Sequence, residues 1–146
     1  ILARTYAATG VRAIEGAEAV MRRPRARPVR VALNTGFDRE LTRLLLEALG
    51  WTRDIADVVV TGDDVARGRP APDLIHRAMR EAGVADARRV ANVGDTRLDL
   101  EAGHRADVRW NVAVMTGAHS REMLAGAPHT HLLQSVAELE SLWPVA

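Results

Sequence analysis

With 146 residues, 47% hydrophobic and 27% charged side chains and a formal net charge of +1, the sequence suits one globular core and lacks the basic surplus of a nucleic-acid binder. Cysteine is absent and all 20 basic residues are arginine. That excludes disulfides, thiolate nucleophiles, cysteine-ligated zinc and lysine Schiff-base chemistry within the chain. No apolar run approaches the ~18 residues of a membrane helix and no basic-then-apolar signal opens the sequence, so a soluble, cytoplasmic protein is expected.

Residues Thr5 to Met21 are alanine-rich and helical in character, interrupted by Gly10 and Gly16. Arg22, Arg23, Arg25, Arg27 and Arg30, interleaved with Pro24 and Pro28, read as a solvated connector. Val29 to Leu33 is the first strand. Asp38 to Leu49 follows as a helix, with Leu41, Leu44, Leu45 and Leu49 at helical spacing and Gly50 as its stop. The plan then repeats. Strands are expected at Val58 to Thr61, Arg89 to Val93, Asn111 to Met115 and His131 to Leu133. Helices are expected at Pro72 to Ala82, Leu98 to Ala106, Ser120 to Leu124 and Val136 to Leu142. Alternation of this kind implies an α/β fold, a Rossmann-like parallel sheet with helices on both faces.

In open α/β sheets ligands bind beyond the carboxyl ends of the strands. Polar clusters occupy those ends at Asn34-Thr35-Gly36, Gly62-Asp63-Asp64, Gly94-Asp95-Thr96 and Thr116-Gly117. Asp95 and Asp99 stand four residues apart where a strand gives way to a helix, a pair able to meet one hard cation such as Mg²⁺. The plainer reading makes Asp95 a helix cap and leaves Asp99 on a solvated first turn. Thr35 and the free amides beside Gly36 can cradle a phosphate, or simply end a strand in a turn. Arg69, in the proline-stiffened stretch Gly68-Arg69-Pro70-Ala71-Pro72-Asp73, can neutralise phosphate oxygens, or lie on the surface ahead of an ordinary helix. Asp63 and Asp64 are better explained by a turn or cap. The 5 histidines, His129 and His131 included, suit packing or surface roles, with His119 the exception to watch.

Taken in order, Thr35, Arg69, Asp95 and Asp99 resemble the second, third and fourth motifs of the haloacid dehalogenase superfamily. The stretches Leu33 to Asp38, Gly68 to Asp73, Gly94 to Gly103 and Met115 to His119 are similar to its phosphonatase-like branch. The resemblance implies a hydrolase of phosphate ester or phosphonate bonds in a small phosphorylated molecule, working through an aspartyl-phosphate with Mg²⁺ as cofactor. It assigns the transferring oxygens to Asn34, Thr35, Gly36 and Arg69, catalytic roles to Thr35 and Arg69, and the metal to Asp95 and Asp99. It also implies a first-motif strand ending in the nucleophilic aspartate, yet residues 1 to 28 contain no aspartate. The expectation is therefore an N-terminally incomplete chain: 1–28 a remnant of cap helix and linker, 29–146 the α/β core, with the first-motif strand and most of the cap lacking. A catalytically inactive relative that binds phospholigands or a partner is the alternative. The sequence leaves the oligomeric state open.

Overall fold

The computed structural model describes residues 17–22, 29–117 and 119–142. Five parallel strands alternate with helices: α1 (Ala17–Arg22), β1 (Ala32–Asn34), α2 (Arg39–Leu49), β2 (Val58–Val60), α3 (Asp73–Ala82), β3 (Ala91–Gly94), α4 (Arg97–Arg105), β4 (Trp110–Val114), α5 (Arg121–Ala125) and β5 (His131–Leu133). Short 3₁₀ turns cover Gly62–Asp64, Ala87–Arg89 and Val136–Leu142.

The expected parallel sheet is divided. β1 pairs with β2, and β3, β4 and β5 form a second sheet in that order. Val58 N–H bonds to the Val31 carbonyl at 3.2 Å and Thr35 N–H to the Val60 carbonyl at 3.0 Å. By the two-residue alternation of an extended strand, Ala32 and Asn34 therefore turn their backbone groups to the opposite edge of β1. Trp110 N–H bonds to the Val90 carbonyl at 3.3 Å, so Ala91 and Val93 likewise turn away from β4. Among the described residues no strand pairs with either of those edges.

Helix α3 ties the two sheets together. Leu74 and Ala78 pack under Val58 and Val60, while Ile75 and Met79 join Ala102, Ala106 and Val108 of the second sheet's side. Burying each of these larger apolar side chains contributes about 1.5–3 kcal/mol. On α4, Leu100 enters a core with Ala113 and Leu124. The opposite face of β4 is covered by the 136–142 turn and by Val20 of α1. Trp51 Nε1 also donates to Glu18 of α1 at 2.8 Å.

Helix starts follow local chemistry. Asp38 caps α2 by accepting from Leu41 N–H, Ser120 caps α5 by accepting from Met123 N–H, and Gly50 and Gly83 end α2 and α3 with φ of 68° and 73°. Two expectations shift. Val136 to Leu142 is 3₁₀ rather than α, because Val136, Leu139 and Leu142 lie at i, i+3, i+6, which aligns them on one row at three residues per turn against Val112 and Val114. The first strand runs over Ala32–Asn34 instead of Val29 to Leu33, since Val31 is held by Asp57, whose carboxylate accepts Val31 N–H at 2.9 Å. Most of the alanine-rich N-terminal segment and of the arginine-rich connector lies outside the described residues.

Candidate active site

The loops after β1, β2, β3 and β4 place their polar groups together. After β1, the Thr35 hydroxyl accepts from Phe37 N–H at 3.1 Å, which leaves its own hydrogen free to donate outward. The next residue, Gly36, stands against Arg69: a Cβ there would lie 3.3 Å from Nη2 of the guanidinium. The other arm of that guanidinium, Nη1, donates to Oδ1 of Asp99 in a close ion pair. Arg69 is 30% exposed and Asp99 14%, so both charges sit partly out of water, where a charge-assisted bond is stronger than at the open surface.

Asp99 is anchored twice more. Its Oδ2 accepts from Thr96 N–H at 3.1 Å and from the Thr96 hydroxyl at 2.9 Å, while Thr96 Oγ1 accepts from Asp99 N–H at 3.3 Å. This is a reciprocal capping box at the start of α4. The plainer expectation, Asp95 as cap with Asp99 on a solvated turn, is thus replaced: Thr96 caps the helix, which frees the Asp95 carboxylate and turns Asp99 inward. The helix sits so close to β3 that a Cβ on Gly94 would meet Cβ of Asp99 at 2.2 Å.

Asp95 packs against the turn after β4, where a Cβ on Gly117 would come within 2.0 Å of its Oδ2. Burial pushes the Asp95 carboxyl above its ordinary range and the negative charge of Asp99 adds to that, with Arg69 opposing. A carboxylate pushed up by burial and by the charge of a neighbouring carboxylate marks an electrostatic seat for a cation. No group of three His, Cys, Asp or Glu able to hold a metal occurs among the described residues. Two oxygen donors still suit Mg²⁺, which is commonly held by one or two carboxylates with water and phosphate oxygens completing its shell.

Of the residues singled out from the sequence, Thr35, Gly36, Arg69, Asp95 and Asp99 are gathered in this cluster. Asn34 is exposed and, together with Thr35, lines a shallow apolar cavity with Leu33 and Phe37 against Leu45, Leu46 and Leu49 of α2. Sequence reasoning placed Thr96 in a polar cluster but missed its capping role, although Thr96 and Asp99 carry the capping-box spacing. The histidines have local partners: His129 Nδ1 lies 2.8 Å from the Ala127 carbonyl, His131 Nδ1 2.9 Å from the Thr130 hydroxyl, and His119 Nδ1 accepts from Arg97 N–H at 3.3 Å. No helix of the described residues is long and apolar enough to cross a membrane.

Parallel strands carrying hydroxyl, guanidinium and carboxylate groups at one rim define an α/β protein of the kind that holds small ligands there. Comparison with known proteins narrows the class: the chain belongs to the haloacid dehalogenase-like hydrolase family, whose model matches residues 1–107. It is 32% identical over 105 residues to a phosphonoacetaldehyde hydrolase of Bacillus cereus, an alignment covering 72% of this chain and 39% of that protein. A phosphonoacetaldehyde hydrolase of Bacteroides fragilis is 34% identical over 131 residues, covering 88% of this chain and 47% of its own length. The chain therefore spans less than half the length of these curated relatives. Among solved structures, a haloacid dehalogenase family hydrolase from Deinococcus radiodurans with bound phosphate and sodium superposes with a TM-score of 0.76 at 29% identity, covering 88% of this chain and 58% of that one.

Proposed function

We propose that these residues form the phosphoryl-holding and metal-holding part of a hydrolase acting on phosphate ester or phosphonate bonds of a small molecule. The observation that carries the reading is the convergence of Thr35 and Gly36, Arg69, and Asp95 with Asp99 on one rim from three separate segments. Phosphoryl transfer relies chiefly on positioning and on neutralising charge over the equatorial oxygens. The Thr35 hydroxyl and Gly36 amide donate to those oxygens, and Arg69 spreads positive charge between them and Asp99. Asp95 and Asp99 hold Mg²⁺, which when bound screens phosphate charge and orients the scissile group. The phosphate in the Deinococcus relative and the activity named for the Bacillus and Bacteroides relatives support the substrate class.

The nucleophile is assigned to the aspartate of a first-motif segment of the kind the family resemblance implies, an aspartate that residues 1–28 do not carry. The unpaired edges of β1 and β3 offer such a segment a place as an added parallel strand whose carboxyl end opens onto the same rim. Residues 1–28 are read as cap remnant and linker, with 29–146 as the core.

Two measurements test this. The chain alone, given Mg²⁺ and an aryl phosphate, is expected to show no turnover, and clear hydrolysis would overturn the assignment of the nucleophile. In a complete protein bearing the first-motif aspartate, Asp95→Asn is expected to reduce Mg²⁺-dependent hydrolysis sharply, whereas unchanged kinetics remove Asp95 from the metal shell. Mg²⁺ and phosphate binding without turnover in that complete protein identifies the inactive, ligand-binding relative instead.

A further inference from the structure

The loops after β1 and β2 are fastened to each other by contacts that the reading above leaves unused. Gly62 N–H donates to the Phe37 carbonyl at 2.8 Å. A Cβ on Gly62 would lie 2.6 Å from the Gly36 carbonyl oxygen and 3.3 Å from that of Phe37, so only glycine lets the two backbones approach this closely. Asp63 Oδ2 accepts from Arg39 N–H at 2.7 Å, and Asp64 Oδ1 accepts from the Arg39 guanidinium at 2.8 Å. The second oxygen of Asp64 is held by Thr61 N–H at 2.8 Å and by the Thr61 hydroxyl at 3.0 Å. Thr61 itself is only 4% exposed. From below, Arg77 of α3 donates to the Asp64 carbonyl at 3.0 Å.

We infer that Gly62, Asp63 and Asp64, acting through Arg39 and the Phe37 carbonyl, are positioning residues that hold the Thr35–Gly36–Phe37 turn in the geometry needed to grip a phosphoryl group. None of them is assigned a contact with the phosphoryl oxygens. The inference rests on the phosphate-holding role of Thr35 and Gly36 and adds to it the device that fixes them. Stability alone does not account for the arrangement: Arg39 is 68% exposed, and ion pairs so exposed contribute little to folding. Placement is another matter. A misplacement of about 1 Å in a group that orients the reacting centre costs on the order of 10²-fold in rate, and the 62–64 turn holds the loop after β1 at the Phe37 carbonyl, the Arg39 amide and the Arg39 guanidinium.

The test is a ¹⁵N-edited NMR titration of the 146-residue chain with inorganic phosphate in the presence of MgCl₂, with thermal midpoints measured in parallel. Asp63→Ala is expected to move the ligand-free amide resonances of Gly36 and Phe37 and to weaken phosphate binding about five- to tenfold, with little change in midpoint. Asp63→Asn retains an oxygen that accepts from Arg39 N–H and is expected to restore near-parental affinity. Gly62→Ala is expected to weaken binding more than Asp63→Ala. If Gly62→Ala does not fold, the two Asp63 variants decide the matter. Thr35→Ala separates the two levels of the argument. If it weakens binding while Asp63→Ala and Asp63→Asn both bind like the parent, the clamp is refuted and the site stands. If Thr35→Ala binds phosphate as the parent does, the site reading falls and the clamp falls with it.

Discussion

Replacing Asn111 by alanine should be among the most damaging single changes available outside the candidate site. Asn111 is 4% exposed in the centre of β4, and its side chain makes three bonds: Nδ2 donates to the Leu100 carbonyl at 2.7 Å and to the Pro128 carbonyl at 3.1 Å, and Oδ1 accepts from Asn92 Nδ2 at 2.9 Å. A buried hydrogen bond contributes about 1 kcal/mol net, and a buried group left without a partner costs about 1–3 kcal/mol. Truncation removes all three bonds and strands two carbonyls and an amide, for a loss of about 3 kcal/mol or more. Against the 5–15 kcal/mol typical of a whole domain, that shift is large. Urea unfolding followed by circular dichroism would read it as a lower midpoint at unchanged slope. Asn92 Nδ2 also donates to the Asp99 carbonyl at 3.0 Å, so a cycle of Asn92→Ala, Asn111→Ala and the double variant should show coupling of about 1 kcal/mol. A loss below about 1 kcal/mol for Asn111→Ala, or strictly additive variants, would refute the claim that this pair pins α4 to the sheet.

Arg69→Ala leaves Asp99 without its guanidinium and removes the cation beside Gly36; phosphate affinity should drop about tenfold, with Arg69→Lys intermediate because an ammonium cannot reach both groups at once. Titration calorimetry with phosphate and Mg²⁺ checks both variants. Asp64 is held down to about 2 from the usual 3.8 by Thr61 N–H and by Arg39. Its stabilising contribution is therefore complete above 3.8 and disappears as pH falls toward about 2; after solvent screening it amounts to about 1 kcal/mol. Acid unfolding of Asp64→Asn should accordingly be shallower across that window, and identical acid limbs would argue against the ion pair. Hydrogen exchange at Ala32, Asn34, Ala91 and Val93 should be fast in this chain and slow in a protein that also carries the proposed first-motif strand, since their amides face the edges left unpaired among the described residues; strong protection in the chain alone would mean those edges are already covered.

Much of this was legible in the sequence because it depends on local chemistry. Asp38 and Gly50 bracket α2 through a cap and a left-handed stop, and β5 falls where its apolar run predicts. What local pattern cannot carry is reach. Arg69 and Asp99 are separated by 30 positions, and nothing in the separate stretches requires that one guanidinium touch the Asp99 carboxylate and also border Gly36. The helical type of 136–142 was decided by its partner, since one row of three apolar side chains suits the face of β4 better than a full α-helical stripe. The division of the sheet was foreseeable only through family resemblance. Short strands of three or four residues carry too little pattern to announce which edge goes unpaired.

That division has a consequence for the site. Thr35 and Gly36 follow the two-stranded sheet and Asp95 and Asp99 the three-stranded one, so among the described residues no strand ladder fixes the distance between the two halves. The links between them include α3, whose Ile75 and Met79 pack against Ala102, Ala106 and Val90, α1, whose Val20 packs on β4 while Glu18 accepts from Trp51, and the Arg69 guanidinium at the rim. Apolar packing sets the approach of the halves but tolerates small slips, whereas paired backbone groups hold register to fractions of an ångström. A strand joined to both free edges would convert the loose constraint into a rigid one at the position where hydroxyl, guanidinium and carboxylates must act together. The residues proposed to hold phosphate would then be positioned by the same element proposed to deliver the nucleophile.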